Sequence, residues 1–595
     1  MKLDWIDQGG SSVACPACCG KSEKRAILAT RSAVNHHDEL QLLHCGECLS
    51  AFFPYCVLPE YEQTVGGSSA LAFYLEQGAG IDVMVETLAM INPQRTQRYM
   101  EIGCGFGFSL DFARHSYGWS VTGIDPGSNA RAGRDLLGLD IRGDYLRSGA
   151  DVGPDKPDLI LCSEVIEHIA EPDGFVAILR DALAPGGMLL LTTPNAAAIK
   201  PDTAPGVLIP LLSPGYHLVL FSRSGLEATL KRAGFETVNV VERGATLVAV
   251  AVAGGPEAEF DTDRRLDRSL YRSWLAARMD SVAPDHSLSF GLRYRLFKER
   301  VNSGDYAAAR PLADQLAAAC RDKWSFDLQG PDLLSPDLSV PDSLGAYQAL
   351  YPFCLCGILY HLAVLAVRHD QDRGRARSLF LAAARYGELL RAVLQNEGMD
   401  DGEADNLSWK GRANAIWLLA WSDPAAAADA ALAFASTPSP LLQELPTPSM
   451  VQETLQTILA TLVNLGHYTD AERVAAVLSP VPAGVGEDSA TLDDAETDFV
   501  QGILDLNHRA DYPAGADRFA RAHRICSRQP AGNPVLLWQS LYHEALGSLL
   551  GADGNRAAAA LGRLLDPEPD PSMPPIPADL RERARALVRT HELTV

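Results

Sequence analysis

Residues 99–110 read YMEIGCGFGFSL: an apolar run carries Glu101, and Gly103, Gly105 and Gly107 follow at alternate positions. Glycine loses more freedom on ordering than any other residue, so such a cluster calls for a tight turn or a ligand pressed close to the main chain. A strand, a glycine-rich turn and then a helix, here SLDFARHSY, is the arrangement that binds an extended cofactor at the carboxyl edge of a parallel sheet. The neighbouring sequence supports such a sheet. RYMEIG, WSVTGID, PDLILCSEV, GGMLLLTTPN and TLVAVAVA read as strands, and amphipathic stretches such as FVAILRDALAPGG lie between them, the latter stopped by Pro185, Gly186 and Gly187.

Two cofactor classes compete for the turn. The dinucleotide fingerprint G-x-G-x-x-G needs its last glycine at position 108, which is Phe. The spacing E-x-G-x-G-x-G instead resembles that of class I S-adenosylmethionine-dependent methyltransferases. The resemblance continues through VTGIDP, GDY, LILCSEVIEHIAEPDGF, LAPGGMLLLTTPN and YHLVLFSRSGLEATLKRAGFETV, covering about residues 96–252. It implies a Rossmann-like α/β sheet in which Gly103, Gly105 and Gly107 admit the methionine and sugar of S-adenosylmethionine. It further implies that Glu101 helps hold the loop and the amino group, Asp125 accepts from the ribose hydroxyls, Asp144 takes the adenine amino group beside Tyr145, and Ser163 joins the cofactor site. A carboxylate is a bidentate acceptor, which suits a sugar diol. The bland alternatives are a turn acid before Pro126 and Gly127 for Asp125, and an ordinary Gly-Asp turn for Asp144.

The sulfonium is an activated methyl donor, so the protein must chiefly align the reactants and exclude water. A base is needed where the acceptor loses a proton, as a sugar hydroxyl or an enolisable carbon does. His168 in EVIEHI and His217 in PGYHLVLF are the catalytic candidates, with packing as the alternative role for each. Tyr216 is placed to orient a substrate, and Glu164 and Glu167 to hold the cofactor or a hydroxyl. PDTAPGVLIPLLSPG is expected to form part of the acceptor wall or lid.

Two CxxC pairs lie near the N-terminus, Cys15 with Cys18 and Cys45 with Cys48, among 12 cysteines in the chain. Paired knuckles of this kind read as a four-thiolate zinc site, structural because no open position remains, and such a small region would depend on the metal for stability. Cys19, His44 and Cys56 are spare donors, so the identity of one or two ligands stays open; free thiols or a redox pair are the alternative. The module joined to this methyltransferase signature resembles bacterial methyltransferases acting on sugars or other small metabolites, including a sugar C-methyltransferase group. It also resembles, more distantly, a ribosomal-RNA guanine methyltransferase with an N-terminal zinc module.

At 595 residues the chain should make several domains. The expected layout is a zinc-ribbon-like module over 1–60, a methyltransferase domain over 61–255 and an all-helical, repeat-like domain over 256–595. In the last, stretches beginning at Gly304, Gly466, Ala510 and Gly554 share a short turn and a helix with small residues, resembling the second-helix entry of tetratricopeptide repeats. An ordinary helical bundle is the alternative. The net charge of −24 argues against phosphate backbones and anionic membranes as partners. The opening MKLDWIDQGGSSVACPAC reads as neither signal nor transit peptide, and no window is expected to span a membrane, which points to the cytoplasm. The expected function is S-adenosylmethionine-dependent O- or C-methylation of a small molecule, a sugar or polysaccharide precursor, with the helical half recruiting a protein partner or positioning a larger acceptor. RNA or protein methylation, or a scaffold with a vestigial methyltransferase fold, compete with it.

Overall fold

The computed structural model describes residues 3–35, 37–54, 68–77, 81–94, 96–201, 203, 205–254, 260–334, 339–397, 399, 401–439, 441–442, 444–478, 490–566 and 573–595. Cys56, one of the spare donors, lies outside them.

The N-terminal region forms β1 (Asp4–Ser11), β2 (Lys24–Arg31), β3 (Glu39–His44) and β4 (Ala51–Phe52), an antiparallel sheet. Its fifth strand comes from far along the chain. β10 (Val219–Leu220) pairs with β4, Val219 opposite Phe52 and Leu220 opposite Ala51. The Cys-rich region is therefore not a free-standing ribbon. Further bonds fasten it to the helix Arg223–Arg232: Ser222 and Ser224 both donate to Cys48 O, and Thr229 Oγ1 (2.8 Å) and Arg232 Nη2 (2.6 Å) both donate to Ala17 O.

A second, seven-stranded sheet contains β5 (Arg98–Ile102), β6 (Ser120–Ile124), β7 (Ile141–Arg142), β8 (Leu159–Ser163), β9 (Met188–Pro194), β11 (Thr237–Arg243) and β12 (Thr246–Val252). The strand order is β11-β12-β9-β8-β5-β6-β7, parallel from β9 through to β7, with β12 antiparallel to both its neighbours. β9 is buried at every position, as a strand covered on both faces must be. The chain winds outward from β5 to β7 and then crosses to β8, which puts the topological switch point between β5 and β8. Open α/β sheets bind ligands beyond the carboxyl ends of the strands at that point. The five strands read from sequence are present. The resemblance places Asp144 of GDY at a third strand, but β7 stops at Arg142 and Asp144 follows in the bend after it.

Helices beyond residue 255 are built onto this sheet. Asp111, fully buried in the helix Phe108–Tyr117, accepts from Trp274 Nε1 at 2.7 Å and pairs with Arg278 and with Arg114 (2.9 Å). The helix Ser287–Asn302 packs backbone to backbone on Ser68–Gln77: a β-carbon at Gly291 would lie 2.1 Å from Leu75 O, and Arg295 Nη2 donates to that same oxygen at 3.0 Å. The chain divides into two compact units, Met1–Asp332 with Asp337–His361 and Leu390–Ala404, and Leu333–Pro336 with Leu362–Leu389 and Asp405–Val595. The second is helical throughout its described secondary structure.

The four related stretches open the helices Tyr306–Trp324, Tyr468–Ala475, Tyr512–Arg528 and Gly554–Leu565. Each helix follows a left-handed residue: Gly304 (φ 75°), Gly466 (80°), Ala510 (53°) and Ala552 (62°). One helical segment, Leu344–Asp370, does reach the length and hydropathy of a membrane span, with a mean hydropathy of 2.0 over its best window, contrary to the sequence expectation. Of that window 72% is buried within the protein, so its apolar residues serve as core.

Candidate active site

The glycine turn leaves β5 through three left-handed residues, Gly103 (φ 72°), Gly105 (49°) and Gly107 (84°). A β-carbon at Gly103 would stand 2.4 Å from Val165 Cγ2, and one at Gly107 2.7 Å from Leu139 Cδ1. At Gly105 the nearest atom would be the Tyr74 hydroxyl, 3.8 Å away, so the middle of the turn is open under an aromatic residue.

Asp125, just past β6, bridges this turn to the next: Oδ2 accepts from Gly105 N at 2.8 Å and Oδ1 from Gly127 N at 2.7 Å. Each oxygen keeps further lone-pair capacity. Glu101 is turned into the protein. It is 5% exposed, and its Oε2 accepts from Ser109 Oγ (2.5 Å), which also meets Tyr99 OH (2.7 Å). Burial pushes its carboxyl up to about 8. Asp144 is exposed, and its Oδ1 accepts from Tyr145 N (2.8 Å) and Arg147 Nη2 (3.0 Å). Ser163 ends β8 and shares a 2.7 Å hydrogen bond with Thr192 Oγ1, which donates to Glu164 Oε1 at 2.9 Å. Glu164 is left-handed (φ 53°), an uncommon state for a non-glycine residue and one that gathers at functional sites.

His168 and His217 come together from separate parts of the chain, with ring centroids 4.8 Å apart and planes at 78°. His168 Nδ1 bonds Tyr216 O and His217 Nδ1 bonds Leu211 O, both at 2.8 Å. A carbonyl only accepts, so each Nδ1 carries the hydrogen and each Nε2 is the lone-pair side. Both Nε2 atoms face Glu167 Oε1, at 3.8 Å and 4.0 Å. Glu167 is 0% exposed; Thr193 Oγ1 donates to its Oε2 (2.9 Å), and Oε1 is buried with no hydrogen-bond partner among the described residues. Burial, then the nearby Glu164, raise its carboxyl well above the usual range. Burial lowers both imidazoles, His217 to about 4 with help from His168.

The four cysteines also converge. Cys15 Sγ lies 3.7 Å from Cys48 Sγ and Cys18 Sγ 3.7 Å from Cys45 Sγ, and all four sulfurs fall within 4.8 Å of one another with no disulfide joining them. Thiolates about 2.3 Å from one tetrahedral ion would stand roughly 3.8 Å apart. The two knuckles share a build: Cys19 N and Leu49 N donate to Cys15 O and Cys45 O (both 2.8 Å), and Cys19 (φ 60°) and Leu49 (φ 65°) are left-handed. The exposed Cys19 points to Asp173 Oδ2, 3.6 Å away, and neither it nor His44 joins the four-sulfur group.

Among known proteins, the family described as methyltransferase domain matches residues 76–240. The ubiquinone biosynthesis O-methyltransferase of Dinoroseobacter shibae is 34% identical over 112 residues, 18% of this chain and 44% of that one. The one from Pseudomonas aeruginosa is 30% identical over 156 residues, 24% of this chain and 67% of that one. The chain belongs to the class I S-adenosylmethionine-dependent methyltransferases. The methyltransferase spans about half the length of the first curated relatives it matches, 44% and 48%. Among solved structures, an O-methyltransferase family protein from Burkholderia thailandensis aligns at 15% identity and a TM-score of 0.27, over 30% of this chain and 59% of that one. A likeness of that size carries nothing about the acceptor.

The methyltransferase's turn fits the family's cofactor: the backbone at Gly105 is bare, and a carboxylate with spare acceptor capacity stands beside it. Sequence reasoning named the glycines, Ser163, the two histidines and the acids Glu101, Asp125, Asp144, Glu164 and Glu167, but missed Tyr74, Thr192 and Thr193. Tyr74 lies on a helix well before the glycine turn, and nothing in its local pattern points there. The two threonines sit inside β9, where they read only as strand residues.

Proposed function

We propose that this methyltransferase moves the methyl group of S-adenosylmethionine to a hydroxyl of a small-molecule acceptor, a sugar or polysaccharide precursor. The observation that carries the reading is the contact of Gly103 with Val165, which makes the glycine turn and the EVIEHI segment neighbours at the switch point. When bound, S-adenosylmethionine supplies a methyl group already activated by the sulfonium. Asp125 receives the ribose hydroxyls, Asp144 the adenine amino group, Ser163 lines the cofactor site at the end of β8, and Glu101 holds the turn from beneath. Acceptor and proton meet the His168, His217 and Glu167 cluster, where the low dielectric strengthens any polar contact with the reacting oxygen. The relatives' names favour oxygen over carbon as the methylated atom.

Cys15, Cys18, Cys45 and Cys48 are read as a structural zinc site that steadies the β4 and β10 pairing, and with it the segment carrying His217. The chain is read as cytoplasmic. The helical region is read as tetratricopeptide-like and as a surface for a protein partner. Methyl-labelled S-adenosylmethionine incubated with the chain and a fractionated extract tests the reading. Label is expected in the small-molecule fraction, whereas label confined to RNA or protein would reject it.

A further inference from the structure

We infer that Arg295, on a helix outside the span that matches the methyltransferase family, holds the carboxylate of the cofactor's methionine, with the Tyr74 hydroxyl as a second donor. This rests on the methyl-transfer reading above. Tyr74 also lies outside the matched span, residues 76–240.

Arg295 lies in the helix Ser287–Asn302 and is 3% exposed. Its Nη2 donates to Leu75 O at 3.0 Å, while Nε and Nη1 are buried with no hydrogen-bond partner among the described residues. The acids close to it in sequence or packing are engaged elsewhere. Glu76, next to Leu75, accepts from Ser287 Oγ (2.8 Å) and Phe353 N (2.9 Å), and Glu299, one turn on from Arg295, pairs with Arg268 (2.7 Å). A buried guanidinium with unfilled donors and no counter-ion is costly, and an anion against it removes that cost. Its planar fork of N–H groups matches a carboxylate.

The position of this group suits the cofactor turn. The carbonyl that Arg295 grips belongs to the residue after Tyr74, and the Tyr74 hydroxyl would stand 3.8 Å from a β-carbon at Gly105, in the middle of the turn. Tyr74 is seated there against Phe106 and Phe108, with ring centroids 6.5 Å and 6.0 Å away. Its hydroxyl feels the positive charge of Arg295 together with the negative charges of Glu101 and Asp125, the acids on either side of the turn.

The cofactor's own charges call for such a partner. S-adenosylmethionine carries a carboxylate besides its ammonium and sulfonium groups. Glu101, Asp125, Glu164 and Glu167, the ionisable groups at the turn and after β8, are all acids and supply no positive charge to it. Arg295 does.

The test is calorimetry of the full-length chain with S-adenosylmethionine and with its decarboxylated analogue, which lacks that carboxylate. The wild type is expected to favour S-adenosylmethionine roughly tenfold or more, as charge-assisted hydrogen bonds support. Arg295→Gln should lose that factor for S-adenosylmethionine while keeping its affinity for the analogue, and Arg295→Lys should recover part of the preference. Tyr74→Phe, which deletes one oxygen and leaves the ring packing, should narrow the preference about threefold. The wild-type comparison and Tyr74→Phe decide the matter even where an Arg295 variant does not fold. Equal affinity of the wild type for both compounds, an unchanged preference in folded Arg295→Gln, or equal weakening of both compounds by that change overturns the site and leaves methyl transfer standing. Binding of neither compound by the folded wild type overturns the methyl-transfer reading, and the site with it.

Discussion

Gly103 faces Val165 so closely that a β-carbon would come within 2.4 Å of Val165 Cγ2, at a backbone φ of 72°. Gly103→Ala therefore incurs both a clash and a left-handed conformation that costs an L-residue about 1–2 kcal/mol. Calorimetry should show S-adenosylmethionine binding at least tenfold weaker than wild type, and Val165→Ala in the same chain should recover only part of it, since it relieves the clash but not the backbone strain.

Asp125 holds two main-chain N–H groups at 2.8 Å and 2.7 Å while keeping acceptor capacity for the cofactor. Asn in its place turns an amide NH₂ toward one of those donors. Hydrogen bonds to charged groups contribute about 1.5–3 kcal/mol, so Asp125→Asn should weaken S-adenosylmethionine roughly 10- to 100-fold, read by the same calorimetry.

Glu101 makes stability depend on pH in a direction opposite to most carboxylates. Its folded carboxyl is raised to about 8, while the unfolded chain releases the proton near the ordinary value of about 4.3. Between those values the folded protein holds a proton that the unfolded chain does not, so stability is lost as pH rises through the window, by up to about 1.4 kcal/mol per unit. His217, lowered to about 4, acts the other way, its contribution being lost as pH falls below the unfolded histidine value. Melting curves of wild type and Glu101→Gln at pH 5 and pH 8 separate the two: the variant should gain on the wild type at the higher pH, and an equal difference at both would contradict the assignment.

The cysteine cluster and the candidate active site are linked through β10, which pairs with β4 and directly follows His217 and Leu218. Cys45→Ser should release one zinc per chain to a chromogenic chelator and lower the melting temperature. A melting temperature unchanged after zinc removal would show that the metal contributes nothing to the fold.

The strands and the glycine turn were readable because hydrophobic runs and glycine spacing are local properties. β11 was not: TVNVVER mixes polar and apolar residues because it is the half-exposed edge of the sheet. β4 and β10 are two residues each, too short to carry any period, and their pairing across the chain sets the docking of the cysteine module. His168 and His217 were individually visible as candidates. Their shared approach to Glu167 Oε1 was not, because it depends on the bend Ile166–His168 meeting a segment from another part of the chain. The packing of Trp274 and Arg278 on Asp111 was hidden for the same reason, although each residue fits its own helix pattern.

Isothermal calorimetry of the full-length chain with S-adenosylmethionine tests the central claim most directly. Saturable binding at one site per chain is expected, abolished or strongly weakened in Gly103→Ala and Asp125→Asn and retained in Asp144→Asn at reduced affinity. Absence of binding by the folded wild-type chain would contradict the account.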